Sequence, residues 1–201
     1  MPRPRILGSN LIAALLFVGA PALAAPSLNP ADAPAGHYEL DPAHASLIAR
    51  VRHMGLSNYT LRFDRIAASY DYDPAHPTAS KVTASIDAHS LDVGDKGVSA
   101  RFADLFLGSD THPAITFTST DITTTDADHG TLTGDLTFNG VTRPVTLDLT
   151  YDGTEAGLIG GRRMGFSATG TIQRSAFGST ALKGAVGDEV ELVLELEFKR
   201  K

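Results

Sequence analysis

Residues 190–198 read Val190-Glu191-Leu192-Val193-Leu194-Glu195-Leu196-Glu197-Phe198. Val190, Leu192, Leu194, Leu196 and Phe198 occupy every second position, with Glu191, Glu195 and Glu197 between them. Successive side chains of a β-strand point to opposite faces, so this segment has one dry side and one wet side. The pattern recurs in Val82/Ala84/Ile86/Ala88, Leu132/Gly134/Leu136/Phe138, Val145/Leu147/Leu149/Tyr151 and Met164/Phe166/Ala168/Gly170/Ile172. Many half-buried strands with almost no helical periodicity must close on themselves or pack as two sheets to hide their apolar faces. The period predicts an all-β fold, an antiparallel barrel or sandwich, and a barrel has an inside.

The chain start predicts export. Arg3 and Arg5 precede an uncharged apolar run at 11–18, and Ala22-Leu23-Ala24 follows. A basic segment, a short apolar core and small residues at −3 and −1 are the parts of a secretory signal peptide, cleaved here between Ala24 and Ala25. The run is shorter than the roughly 20 residues that span a bilayer, and Pro4 separates the two arginines of what would otherwise be a twin-arginine signal. The sequence has no cysteine, which excludes a cysteine-linked lipid anchor, disulfides and thiol chemistry together. Residues 1–24 hold two of the 17 basic residues and none of the 23 acidic ones, so the remainder carries a formal charge of −8. An acidic domain with dispersed lysines is a poor match for nucleic acid or anionic headgroups. Stable membrane insertion is not expected either.

Residues 25–35, rich in proline and alanine, read as a flexible tether. From Gly36 to Lys201 no stretch is long enough to be a linker and no repeat is evident, which predicts one domain over 36–201. Strands are expected at 37–41, 45–54, 60–72, 81–91, 114–124, 131–138, 144–152, 163–174 and 188–199. Asn139-Gly140 between two alternating runs suits a two-residue type I′ hairpin. The alternation breaks over 94–112, where 98–106 reads as a short helix or lid. Residues 157–161 read as a mobile loop. Eight or nine strands favour a closed up-and-down barrel over an open sheet.

Each candidate for chemistry has a plainer explanation beside it. His44 and His53 are nine residues apart, so one continuous strand would point them to opposite sides. His53 shares its face with Leu47, Ala49 and Val51 and is expected to point inward, as a hydrogen-bonded histidine rather than a metal ligand. The other histidines are scattered, and no His-x-x-x-His or paired-carboxylate spacing accompanies them. Gly165-Phe166-Ser167-Ala168-Thr169 lacks the second glycine of a nucleophile elbow and lies within an expected strand. Gly-x-Gly-x-x-Gly and Walker loops are absent. The Asp121–Asp128 region reads as a solvated hairpin tip rather than a calcium loop. Arg174, before Ser175-Ala176-Phe177-Gly178, is expected to fasten a loop or salt-bridge across the barrel mouth. Neither catalysis nor a metal site is supported.

Tyr38-Glu39-Leu40-Asp41-Pro42-Ala43-His44-Ala45-Ser46-Leu47 and Val51-Arg52-His53-Met54-Gly55 look like the opening of the YceI-like family of bacterial periplasmic proteins. Phe63-Asp64, the run 112–119 from His112-Pro113, the run 134–145 around Asn139-Gly140, Gly165-Phe166, Arg174 to Gly178 and Val186-Gly187-Asp188-Glu189-Val190 follow in order. The resemblance covers 37–198. It implies an eight-stranded, lipocalin-like antiparallel barrel with a short helix or lid insertion. Such a barrel holds a long isoprenoid chain, a polyprenyl quinone or alcohol tail, in its lumen. Two positions depart from the family pattern. Leu105-Phe106-Leu107-Gly108 stands in place of an acidic-aromatic stretch, and Ala45 in place of the usual serine.

The expected function is a non-catalytic periplasmic carrier or reservoir with no required cofactor and an isoprenoid lipid or quinone as its bound partner. A barrel enzyme acting on a small amphiphile through His53, and a filled barrel serving as an interaction module, are the alternatives. A homodimer and a membrane redox partner stay open. Lumen-facing candidates are Val51, His53, Phe63, Ile86, Phe106, Phe117, Leu136, Phe166, Leu192 and Leu194, with His53 near one barrel end to orient a headgroup. The small residues Ala49, Ala84, Gly134, Ala168 and Gly170 on the same faces favour space over filling. N-terminal sequencing of the protein exported by a Gram-negative host is expected to read Ala25 first. An intact Met1 in the membrane fraction would contradict the signal assignment.

Overall fold

The computed structural model describes residues 25–156 and 160–201. Residues 1–24, read as a signal, and 157–159 of the expected loop lie outside the described residues. In chain order the elements are β1 (Gly36–His53), β2 (Ser57–Phe63), β3 (Ile66–Tyr72), β4 (Lys81–Asp87), β5 (Leu91–Asp92), α1 (Lys96–Leu107), β6 (Ala114–Thr124), β7 (His129–Phe138), β8 (Val141–Ala156), β9 (Arg162–Gln173) and β10 (Val186–Arg200). All pair antiparallel in the order β10-β9-β8-β7-β6-β4-β3-β1-β2-β5, and β10 pairs back onto β1. That last pairing, from Tyr38↔Arg200 to His53↔Val186, closes the sheet. The result is an eight-stranded closed antiparallel barrel with one short helix, as the alternation and strand count predict.

Four expected strands differ from the structure. The segments expected at 37–41 and 45–54 are one strand, β1, with a bulge in which Asp41–His44 stand opposite the single Glu197. The expected strand 60–72 is broken at Asp64-Arg65 into β2, which pairs with Leu47–His53, and β3, which pairs with Gly36–Glu39. The expected strand 81–91 is likewise interrupted by a 3-10 turn at Ala88–Ser90, whose N-terminus Asp87 caps by accepting from His89 N. Alternation cannot see such breaks, because it continues in phase on either side of them. The Asn139-Gly140 turn is as expected: both residues have positive φ, 50° and 73°, and Phe138 pairs directly with Val141.

The barrel has two different ends. At one, α1 covers the opening. Asp95 caps it by accepting from Val98 N at 2.9 Å, and Gly108 ends it in the left-handed region. Phe102 and Phe106, one turn apart, turn into the barrel with Leu107. At the other end sits an aromatic cluster: Tyr38 stacks on Tyr70 at 5.3 Å, and Tyr70 meets Phe198 edge-on at 5.0 Å. Residues 25–35, expected as a flexible tether, pack against this second end instead. Ser27 exchanges backbone hydrogen bonds with Thr154 at 2.9 and 2.8 Å, and Ala33 is fully buried. The hydroxyls of Tyr38 and Tyr72 donate to Pro34 O and Pro30 O, each at 2.8 Å. The tyrosine ring edges leave donors that only a neighbouring backbone can satisfy, and this segment supplies the acceptors.

Gly140 has φ +73°, and a Cβ there would stand 2.6 Å from the His112 ring. Gly55 has φ +70° with nothing within 4 Å. Gly55→Ala is therefore expected to cost only the left-handed backbone term, about 1 kcal/mol, and Gly140→Ala roughly 1–2 kcal/mol more. The urea midpoints of the two variants check the difference.

Candidate functional site

The inward faces of the strands enclose an apolar cavity of about 280 Å³. Among the described residues lining it, only His53, Tyr59, Arg174 and Ser179 have polar side chains, and no carboxylate is among them. The five apolar residues of the opening stretch, Val190, Leu192, Leu194, Leu196 and Phe198, all face it. A second chamber of about 150 Å³ continues toward the aromatic end and shares Val82, Leu132, Leu149, Leu196 and Phe198 with the first. Volumes of this size approach the roughly 300–1,000 Å³ of ordinary small-molecule sites.

Of the sequence-derived candidates, Val51, His53, Phe63, Ile86, Phe106, Phe117, Leu136, Leu192 and Leu194 line the larger cavity. Phe166 lies apart from them. It faces the second chamber, with Tyr151 at 5.4 Å and Tyr70 at 6.0 Å. Tyr59, Phe102, Ser179 and Leu182 also line the cavity but were not among the candidates. Tyr59 was legible, since Tyr59/Leu61/Phe63 alternate, and Phe102 precedes Phe106 by one helical turn. Ser179 carried no signal, because its burial depends on a loop fold that no period encodes. The small inward residues divide in two. Ala49, Ala84 and Ala168 line open space. Gly134 and Gly170 do not: a Cβ on either would collide with Phe117 or Leu147, so those glycines make room for neighbours.

The polar groups gather at the helix end. The His53 ring meets Tyr59 edge-on at 6.2 Å, Tyr59 lies 5.8 Å from Phe102, and Phe102 lies 5.3 Å from Phe106. Arg174 is buried, and it fastens a loop as expected rather than salt-bridging the mouth. Its Nε donates to Gly187 O at 2.7 Å, Nη1 to Ser179 O at 2.8 Å and Nη2 to Val186 O at 3.1 Å.

Two groups of three metal-capable side chains occur among the described residues, and His53 is in neither. The first, Asp41, His44 and Glu197, sits in the β1 bulge. Asp41, 4% exposed, accepts from Lys199 Nζ at 2.6 Å, His44 Nδ1 at 2.8 Å and Arg163 Nη1 at 2.9 Å. Two fixed cations and His44 thus already converge on its Oδ2, and Arg163 also reaches Glu197 at 2.8 Å. The second, Asp126, Asp128 and His129, is an exposed hairpin tip where the carboxylates, Asp126 foremost, raise the His129 pKa.

The Lys199 hydrogen bond, with those of His44 and Arg163, holds the Asp41 carboxyl well below its usual range although burial pushes the other way. A depressed carboxylate stabilises the fold fully above its unfolded pKa of about 3.9 and loses that contribution as the pH falls below it. Asp41→Asn is expected to destabilise at pH 7 by an amount near the lower end of roughly 3–5 kcal/mol, since Lys199 is half exposed. The variant is also expected to lose less stability than the parent between pH 5 and pH 3. Urea titrations at those pH values measure both effects.

A model of the YceI-like domain matches residues 38–198. Protein YceI of Escherichia coli O157:H7 is 35% identical over 167 residues, covering 81% of this chain and 86% of that one. The crystal structure of Burkholderia cenocepacia BcnA superposes with a TM-score of 0.70 at 26% identity, over 79% of this chain and 98% of that chain. A polyisoprenoid binding domain from Saccharophagus degradans, described as implicated in plant cell wall breakdown, shares the fold at 14% identity. Its TM-score is 0.58, over 82% of this chain and 98% of that chain.

Proposed function

The chain belongs to the YceI-like family, and from that premise we propose that it is a periplasmic carrier or reservoir that holds the long chain of an isoprenoid lipid in its barrel without turning it over. One observation supports this above the others: a cavity walled almost wholly by hydrocarbon, with its few polar side chains at one end. Such a wall selects for length and shape, and the polar end registers a head group. The barrel of the Saccharophagus degradans polyisoprenoid binding domain has the same fold, and the chemistry of the lumen is what brings that ligand class here.

Magnitudes favour a long tail. Each buried methylene contributes about 0.8 kcal/mol, so a 15-carbon tail gains on the order of 10 kcal/mol gross. Association costs about 4–15 kcal/mol, so short isoprenoids are held weakly and longer ones tightly. A polyprenyl quinone or alcohol meets the length requirement. The second chamber extends the path available to the tail.

The enzymatic alternative requires an acid–base pair at the reacting atoms. His53 lines the cavity without a carboxylate beside it, and three N–H groups of Arg174 are committed to carbonyls. The filled-barrel alternative requires side chains to occupy the lumen, which the cavity at Ala49, Ala84 and Ala168 does not allow. No helix among the described residues is long and apolar enough to cross a membrane.

Mass spectrometry of an organic extract of the purified protein is expected to reveal an isoprenoid lipid near one per chain. Ala84→Phe, which grows a ring into open lumen, is expected to lower that occupancy at least about fivefold while the urea midpoint stays within about 1 kcal/mol of the parent. An extract free of isoprenoids, or an Ala84→Phe protein with full occupancy, would overturn the assignment of the lumen.

A further inference from the structure

Arg174 closes the polar end of the lumen and is 6% exposed, yet it forms no ion pair among the described residues. Its partners are three backbone carbonyls, and its Cζ lies 5.8 Å from the ring centre of Phe106, a lumen residue. Beside it, Ser179 is 4% exposed, lines the lumen, and has a hydroxyl with no hydrogen-bond partner. A buried hydroxyl left unpaired costs about 1–3 kcal/mol.

Behind this wall lies an outer pocket of about 300 Å³ that shares Arg174, Ser179 and Val186 with the lumen. Arg52 and Lys183 face it, and its one carboxylate is Asp188. Both Asp188 oxygens are engaged by Ser175, from N at 2.8 Å and from Oγ at 2.7 Å. Arg174, Arg52 and Lys183 thus line the same pocket as the unpaired hydroxyl against a single carboxylate, Asp188, which already lies in the field of Arg174 and Lys183.

We infer that Arg174 and Ser179 form a head-group subsite for an anionic oxygen, so that the preferred ligand is an acidic amphiphile, a long apolar chain ending in a carboxylate or phosphate. The inference rests on the lumen holding the chain. A neutral quinone or alcohol would satisfy Ser179 but gain nothing from the excess of positive charge at this end. An anion would accept from the Ser179 hydroxyl, balance the buried charge and gain from the field of Arg52 and Lys183.

Delipidated full-length protein is titrated with geranylgeraniol, geranylgeranyl phosphate and geranylgeranoic acid, which share one chain and differ only in the head. Both acids are expected to bind about tenfold tighter than the alcohol. Lys183→Gln is expected to shrink that ratio several-fold while the alcohol's affinity stays unchanged, and Ser179→Ala is expected to weaken both acids more than the alcohol, outcomes that loss of structure would not give. Equal affinities for the three compounds would overturn the subsite and leave the lumen intact. Failure of all three to bind would overturn both. Inorganic phosphate alone displacing geranylgeranyl phosphate would make this a free-anion site and overturn the lipid form.

Discussion

The pairing of β10 with β1 is the contact on which everything else depends. A sheet of this length left open would expose two unpaired edges and one continuous apolar face. Closing it satisfies the edge groups and turns the apolar face into a wall around a space. Whether that space fills or stays open is then a matter of side-chain volume. Here Phe117 and Leu147 fill the room left by Gly134 and Gly170, while Ala49, Ala84 and Ala168 leave room unfilled. The cavity is thus a by-product of closure with too little volume on three inward positions.

Closure creates two open ends, and the chain treats them differently. The tyrosine end is sealed by ring-on-ring packing, and the hydroxyls of Tyr38 and Tyr72 need acceptors that the 25–35 segment brings. The helix end is covered by α1, with Phe102 and Phe106 turned inward, and by the loop that Arg174 fastens. Polar side chains of the larger cavity occur at that end, while Tyr70, Tyr72, Asp128 and His129 border the second chamber at the other. A tail in the larger cavity meets hydrocarbon along its length and donors at the helix end.

The charged bulge of β1 serves the frame rather than the lumen. Asp41, with Lys199, Arg163 and His44 on its Oδ2, ties the first strand to β9 and β10 outside the barrel wall. It holds the closure contact together where the ladder is interrupted between Leu40 and Ala45.

Alternation alone was enough to name the faces. In β10, β7 and β4 the apolar set read from the sequence is the set that points inward, because a period of two admits no other arrangement once one face is dry. Asn139-Gly140 likewise announced its turn, since two successive positive φ angles leave few residue choices. Phe166 shared the right face but not the right chamber, because a period gives the side of a wall and says nothing of height along it. The breaks at Asp64-Arg65 and Ala88–Ser90 and the docking of 25–35 were invisible for a related reason: they follow from which strand lies next door. The same holds for Ser179. Its hydroxyl is buried only because Arg174 gathers the carbonyls of Ser179, Val186 and Gly187 into one place. Local sequence encodes direction and polarity residue by residue. Distance between residues far apart in the chain exists only after the ring has closed.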